Sequence, residues 1–204
     1  MKTTLSNSTQ LTEQKTELQT YGTVANRPIS LDKKVRLTSV SGLNQILADT
    51  MTLRDMYKKH HWQAAGPTFY QLQLLFDKHW GEQVELVDAL AERIQTLGGV
   101  TIAMAPDVAE VTRISRTPRG PENSAIQLFR LLQAHELIIA ETRELAHTAA
   151  NEGDDGTNDL LISQVLRLNE FQAWFVSEQL AGTGIAEKDS EADRLVMASH
   201  ASHA

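Results

Sequence analysis

The feature that most constrains the fold of this chain is the recurrence of apolar residues at intervals of three and four. This interval is the period of an α-helix with one buried face. The pattern begins at Leu43, which predicts a first helix over about 41–64. It returns after Gly66-Pro67 and ends before Gly98, which predicts a second helix over about 67–97.

The second half of the chain shows the same period twice. One run extends from Ile126 towards His147 and another from Leu160 to Leu180, with the acidic link GDDGTND between them. Residues 100–120 are predicted to be a connection that crosses one end of a bundle. No alternation typical of β-strands competes, so the sequence predicts an all-α fold, an antiparallel four-helix bundle.

Composition limits the classes of function. Residues 1–40 and 181–204 are predicted to be a flexible arm and a flexible tail around a bundle over 41–180. The 204 residues include no cysteine, so a metal site must use oxygen and imidazole ligands. The net charge of -7 favours cations over phosphates as partners. With no signal-peptide core and no stretch long enough to span a bilayer, we expect a cytoplasmic protein without a membrane segment.

Four polar residues share one face of the second predicted helix. Gln73, Asp77, Asp88 and Glu92 fall within a stripe about 100° wide, which is either a solvated surface or a metal site. Asp77 and Asp88 lie about 16 Å apart along the axis, too far to hold one metal within a single chain.

A second subunit removes this difficulty. If the same helix of a twofold partner runs antiparallel across the face, Asp77 of one chain approaches Asp88 and Glu92 of the other. His61 can add an imidazole from the Asp77 side. Oxygen ligands with one nitrogen suit ferrous iron, with Zn or Mn as competitors.

The chain here resembles a known family. Its spacing is similar to the ferroxidase signature of the Dps family of miniferritins, with the pattern His61-Trp62-x-x-x-Gly66-x5-Leu72-x-x-x-x-Asp77 followed by Asp88-x-x-x-Glu92-Arg93-x-x-x-Leu97-Gly98. The resemblance covers about 41–180. It implies a ferritin-like four-helix bundle that forms one subunit of a hollow homo-oligomeric cage, a dodecamer.

The resemblance also implies a function. His61 and Asp77 of one subunit, with Asp88 and Glu92 of its mate, would hold a di-iron site at the dimer interface. There Fe(II) would reduce hydrogen peroxide or oxygen, and Fe(III) would mineralise inside the cage, which protects against oxidative stress. Two irons held together deliver two electrons to a peroxide without releasing a hydroxyl radical.

One position departs from the family pattern. Gln73 stands where the family normally has a second histidine, and an amide oxygen is a weaker iron ligand than imidazole. His60 and His79 are the nearby histidines. On an ideal helix His79 points about 200° away from Asp77, so it becomes a ligand only if the helix bends near Gly81.

Several residues outside the stripe carry alternative interpretations. Asp154, Asp155 and Asp159 form either a capped turn or, by the family's plan, part of an acidic threefold pore. Trp62 and Trp174 are expected to pack in the core or to lie near the metal site and take an oxidising equivalent. Two further histidines lie in a helical context, His135 and His147. They are expected to face solvent or to be capped rather than to bind a metal.

The opposing charges of the N-terminal arm predict weak or absent DNA binding. The alternative function is a cage with an impaired ferroxidase site that sequesters metal or protects DNA structurally.

Overall fold

The computed structural model describes residues 17–181, and every regular element within this range is helical. The helices are α1 (Lys33–Gln63), α2 (Phe69–Thr96), α3 (Ala105–Val111), α4 (Ser124–Glu152), α5 (Asp155–Leu160) and α6 (Arg167–Leu180), with a π-helical segment (Leu161–Leu166) joining α5 to α6. Four rods, α1, α2, α4 and the continuous α5–α6, pack as an antiparallel bundle, which confirms the predicted fold class. Residues 1–16 and 182–204 lie outside the described residues, so the flexibility of both ends stays a prediction.

The connection between α2 and α4 runs along the bundle. Near the start of α1, the Ile102 N–H donates to Asn44 Oδ1 at 2.8 Å. Beyond the end of α1, Ser124 Oγ donates to Ala65 O at 3.2 Å. The prediction that residues 100–120 cross one end of the bundle was therefore wrong. Helices α2 and α4 run in the same direction, so the chain must return over the length of α1 between them.

Helix α1 begins at Lys33, earlier than the predicted start near residue 41. Arg36 is buried, and its Nη1 is satisfied there because it donates to Ala25 O at 2.6 Å and to Leu97 O at 3.1 Å. The backbone of Gly98, with φ of +82°, approaches the same segment so closely that a Cβ would lie 2.5 Å from Ala25 O. The predicted N-terminal arm was thus too long. Polar contacts hold its second half in place, and such contacts produce no apolar pattern in the sequence.

The fourth rod contains one wide turn. Its buried residues Thr157, Leu161, Val165 and Asn169 recur every four residues, whereas an α-helix has 3.6 residues per turn. The π-helical segment absorbs the difference because its turn holds an additional residue. Asn169 and Gln172 are thereby turned towards the interior of the bundle, where both are fully buried.

The interior combines aliphatic side chains with polar ones. Each of the four rods contributes fully buried polar side chains, among them Tyr57, His79, Gln83, His135, Asn169 and Gln172. Among the helices of residues 17–181, none is both long and apolar enough to cross a membrane.

Candidate metal centre

The predicted polar stripe lies on the outer face of α2. Asp77, Asp88 and Glu92 are exposed and Gln73 is partly buried. The side chains of Asp88 and Glu92 form no hydrogen bond or ion pair with the rest of residues 17–181. Both carboxylates are therefore available to a ligand from outside the subunit.

Asp77 already has a cation beside it. Lys58 Nζ donates to Asp77 Oδ1 at 2.7 Å, and the same ammonium lies 4.2 Å from the centre of the Trp80 ring. The hydrogen bond from Lys58 is the main reason that the pKa of Asp77 falls below its usual value. Asp77 is thus an ionised carboxylate with the positive charge of Lys58 beside it.

His61 presents a free nitrogen next to this carboxylate. Its Nδ1 lies 3.0 Å from the main-chain oxygen of Gln73, which can only accept a hydrogen bond. Nδ1 therefore carries the proton, and Nε2 keeps its lone pair for a metal. Gln73 fixes the tautomer of His61 through its backbone, whatever its side chain binds.

A single subunit does not assemble a complete ligand set. Across residues 17–181, no three His, Asp or Glu side chains converge into a group that can hold a metal ion. Asp77 stands about three helical turns from Asp88 and Glu92, because Asp77 and Asp88 are eleven residues apart in the continuous helix α2.

Comparisons with known proteins agree on the family. The ferritin-like domain model matches residues 40–184. An uncharacterised protein of Kitasatospora aureofaciens is 51% identical over 138 residues, covering 68% of this chain and 92% of that protein. A nutrient stress-induced DNA-binding protein of Nostoc sp. is 32% identical over 171 residues, covering 84% and 92%. The structure of DpsC from Streptomyces coelicolor has a TM-score of 0.80 and 54% identity, covering 81% of this chain and 96% of that one.

The chain belongs to the Dps family. This confirms the resemblance found in the sequence and the ferritin-like bundle that it implied. Membership of the Dps family supports a role in iron storage in general terms.

In this Dps chain the histidines near the stripe lie inside the bundle. His60 and His79 are 0% and 1% exposed, and burial lowers the pKa of each to about 4. Helix α2 is continuous through Gly81, so His79 stays on the side opposite Asp77. Neither imidazole faces the stripe in place of the histidine that Gln73 replaces.

The acidic link divides into two kinds of aspartate. Asp154 is buried and caps α5, accepting hydrogen bonds from Ser39 Oγ at 2.6 Å, Thr157 Oγ1 at 2.7 Å and Arg93 Nη2 at 2.5 Å. The predicted pore role does not fit Asp154, because its oxygens already serve the capped turn. Asp155 and Asp159 are exposed and stay candidates for a pore.

The structure decides between alternatives for two tryptophans and corrects the prediction for one histidine. Trp62 and Trp174 are 73% and 56% exposed, so neither packs in the core of the subunit. His135, expected at the surface or at a cap, is fully buried and forms hydrogen bonds with Tyr57 and Asn169. The sequence signal for it was the core register of α4, in which His135 lies four residues after Leu131.

Proposed function

We propose that this Dps chain oxidises Fe(II) at sites shared by two subunits and stores the ferric product inside a homo-oligomeric cage. Hydrogen peroxide or oxygen would accept the electrons, which protects the cell from oxidative damage. The observation that carries this proposal is the separation of two carboxylate groups along the exposed face of α2. Such a face forms two equal sites when it meets its own copy in the antiparallel sense.

Each residue has a defined part in the proposed site. Asp77 and the Nε2 atom of His61 approach the metal from one subunit, and Asp88 and Glu92 of the partner subunit approach it from the other. Carboxylates with one imidazole suit Fe(II), with Zn and Mn as competitors. Lys58 must leave Asp77 when the metal binds, so the divalent cation takes the place of the ammonium beside this carboxylate.

Exposed carboxylates at the start of the fourth rod support a route for iron. Asp155 and Asp159 would form a ring of negative charge around a threefold axis of the cage, and such a ring concentrates cations. Two irons at one site would then give two electrons to one peroxide.

Gln73 favours a second candidate function, a cage that sequesters metal without rapid oxidation. Its amide is a weaker ligand than imidazole, and neither His60 nor His79 faces the stripe. DNA binding should be weak or absent in either case. Arg36, one of the basic residues of the predicted arm, is buried against carbonyl oxygens and is not available to phosphates.

The test is anaerobic loading with Fe(II) followed by a pulse of peroxide, with ferric absorbance as the readout. We expect rapid oxidation by the wild type and only the protein-free rate for Asp88→Ala combined with Glu92→Ala. Glu144→Ala is the control, because Glu144 is an exposed carboxylate on α4, outside the helix that carries the stripe. Wild-type oxidation at the protein-free rate would favour the sequestering cage.

Mixing two inactive variants tests whether the site is shared. Asp77→Ala subunits and subunits with both Asp88→Ala and Glu92→Ala are unfolded together and refolded as a mixture. Half of the random dimers are mixed, and each mixed dimer regains one of its two sites, so we expect about a quarter of the wild-type rate. No recovery would mean that the ligands act within one subunit.

A further inference from the structure

A tyrosine lies at the centre of the bundle between two histidines. Tyr57 is fully buried on α1, with its hydroxyl oxygen 2.5 Å from His135 Nε2 of α4 and 3.0 Å from His79 Nδ1 of α2. A phenol has one proton and can donate it to only one of these nitrogens. The neighbouring amides decide which one receives it.

Two groups that can only accept hydrogen bonds fix the amides. The main-chain oxygen of Val165 accepts from Asn169 Nδ2 at 2.8 Å, which turns Asn169 Oδ1 towards His135. The carboxylate of Glu82 accepts from Gln172 Nε2 at 2.8 Å, so Gln172 Oε1 faces Gln83. Gln83 Nε2 then donates to Gln172 Oε1 at 2.9 Å and to Asn169 Oδ1 at 3.3 Å. The contact of Asn169 with Gln83 and its contact with Val165 require the same orientation of the Asn169 amide.

The proton positions follow from this chain of contacts. Asn169 Oδ1 lies 2.8 Å from His135 Nδ1 and must accept, so Nδ1 carries a proton and Nε2 a lone pair. Tyr57 therefore donates to His135 Nε2, and His79 Nδ1–H donates to the phenol oxygen. The phenol O–H thus points at a base, His135 Nε2. When the proton leaves, the phenol oxygen still accepts a hydrogen bond from His79 Nδ1–H.

This tyrosine lies close to the proposed metal site. Tyr57 precedes His61 by one turn of α1, a separation of about 6 Å between Cβ atoms. Its ring also packs against Phe76, the neighbour of Asp77, with 6.1 Å between ring centres. The proposed site has Gln73 where the family pattern has a histidine, which favours occupancy by a single iron. One Fe(II) gives one electron, so the reduction of peroxide then needs another electron donor.

We propose that Tyr57 supplies the second electron for peroxide when only one Fe(II) occupies the site, an inference that rests on the proposed ferroxidase function. Fe(II) and the phenol each lose one electron, and hydrogen peroxide gains both and takes two protons from solvent to become two waters. The phenol O–H bond breaks and an N–H bond forms at His135 Nε2. A neutral tyrosyl radical is left beside an imidazolium. A later Fe(II) reduces the radical, and the proton returns to the oxygen.

The resting state of the group agrees with this role. Burial raises the pKa of Tyr57 well above its usual value and lowers that of His135 to about 3, so the proton stays on the phenol until an electron is removed. Oxidation makes a phenol a strong acid, which reverses the preference. The fully buried ring keeps the radical away from solvent and from other proteins.

The first experiment uses the assembled full-length protein with less than one Fe(II) per subunit. The sample is mixed with peroxide and frozen within milliseconds for electron paramagnetic resonance, with ring-deuterated tyrosine to separate tyrosyl from tryptophanyl signals. We expect a tyrosyl radical in the wild type that Tyr57→Phe loses. The peroxide consumed per Fe(II) should fall by half in that variant, because a second iron must replace the phenol. Tyr70→Phe, which changes an exposed tyrosine, should keep both properties.

Ferric absorbance in the same samples separates the two proposals. Normal ferric absorbance with the same radical and the same peroxide stoichiometry in wild type and Tyr57→Phe would overturn the role of Tyr57. Ferric absorbance at the protein-free rate would count against the proposed function instead, and a measurement without metal then decides about the tyrosine.

That measurement is pulse radiolysis of the metal-free protein. Azidyl radicals oxidise the indoles that solvent reaches, and we expect tryptophanyl absorption to decay into tyrosyl absorption. Tyr57→Phe should remove this transfer and Tyr70→Phe should retain it. His135→Gln, which keeps a hydrogen-bond acceptor but no base, should slow the transfer at least about tenfold. Transfer at the wild-type rate in both Tyr57→Phe and His135→Gln would exclude the proposed proton and electron path.

Discussion

Asp154 and Asp155 are neighbours in sequence with opposite environments. Asp154 caps α5 from a buried position and pairs with Arg93, whereas Asp155 is exposed. Asp154→Ala would remove the cap and leave Arg93 without its carboxylate, so we expect the free energy of unfolding to fall by about 3 kcal/mol. Asp155→Ala is the control and should change it by less than about 0.5 kcal/mol. Denaturant unfolding measures both, and equal losses would contradict a structural role specific to Asp154.

Glu141 on α4 is a partly buried carboxyl group with an unusual environment. Burial is the main cause that raises its pKa to about 7, followed by the charge of Asp49, while Arg113 opposes the shift from 2.9 Å away. One oxygen of Glu141 has no hydrogen-bond donor, which a proton shared with Asp49 would explain. Glu141 is therefore protonated in the folded state at a pH where it is ionised in the unfolded chain.

This difference predicts a dependence of stability on pH. Because the folded pKa lies above the unfolded one, the folded state binds more protons, and the free energy of unfolding falls as pH rises. From Glu141 alone we expect a loss of about 2 kcal/mol between pH 5 and pH 7. Glu141→Gln should lack this component, as measured by denaturant unfolding across the same range. A pH profile unchanged by the substitution would show that Glu141 titrates normally.

At the scale of elements, one carboxylate of α1 binds three successive residues of the lengthwise connection. Asp49 Oδ1 accepts from Thr112 Oγ1 at 2.7 Å, from the Arg113 N–H at 2.7 Å and from the Ile114 N–H at 3.3 Å. We expect Asp49→Ala to speed amide hydrogen exchange at Arg113 and Ile114 and to lower the free energy of unfolding by about 3 kcal/mol. Asp55→Ala, an exposed change on the same helix, is the control. Slow exchange at both amides in Asp49→Ala would mean that other contacts hold the connection.

The helices could be predicted where apolar residues face the core, and their ends could not where polar contacts fix them. The apolar stripe from Leu43 located α1, but the buried Arg36 that extends it binds carbonyl oxygens far away in sequence. The return path of residues 100–120 depends on Asn44 and Asp49, whose partners no local pattern reveals. Tertiary hydrogen bonds thus account for both differences.

The same limit applies to the candidate site. The stripe on α2 was predicted because carboxylates on one helix face are visible in the sequence. The tautomer of His61, the lysine on Asp77 and the partners of His135 depend on contacts between helices. The core register of α4 indicates that His135 is buried, but it does not reveal that Tyr57 and Asn169 are its hydrogen-bond partners.

At the scale of the whole molecule, one end of the bundle carries exposed apolar side chains, most of them aromatic. One group surrounds Trp62 at the α1–α2 turn and the other surrounds Trp174 on α6, with Phe69, Tyr70, Leu74, Phe171 and Phe175 completing them. Apolar surfaces of this kind are usually covered by another subunit. They support the assembly that a shared metal site requires.

Replacing Trp62 should therefore weaken assembly. In Trp62→Glu a charge would have to be buried wherever this indole meets a neighbouring subunit, and we expect light scattering to report smaller species while circular dichroism shows unchanged helix content. Leu18→Glu, at a fully exposed position, is the control and should keep the wild-type mass. Assembly of Trp62→Glu at the wild-type mass would place Trp62 outside the subunit contacts.

The lysine on Asp77 has a consequence for the order of events. Two empty subunits that approach through their α2 faces would otherwise bring Asp77 against two further carboxylates, and like charges at that distance repel. Lys58 neutralises one of the three, which in the proposed assembly would let subunits join before iron binds. Abundant monovalent ions such as sodium and potassium gain little by displacing an ammonium of equal charge, whereas a divalent ion gains more. In the proposed site, a single side chain would thereby lower the repulsion between joining subunits and favour a divalent ion over a monovalent one.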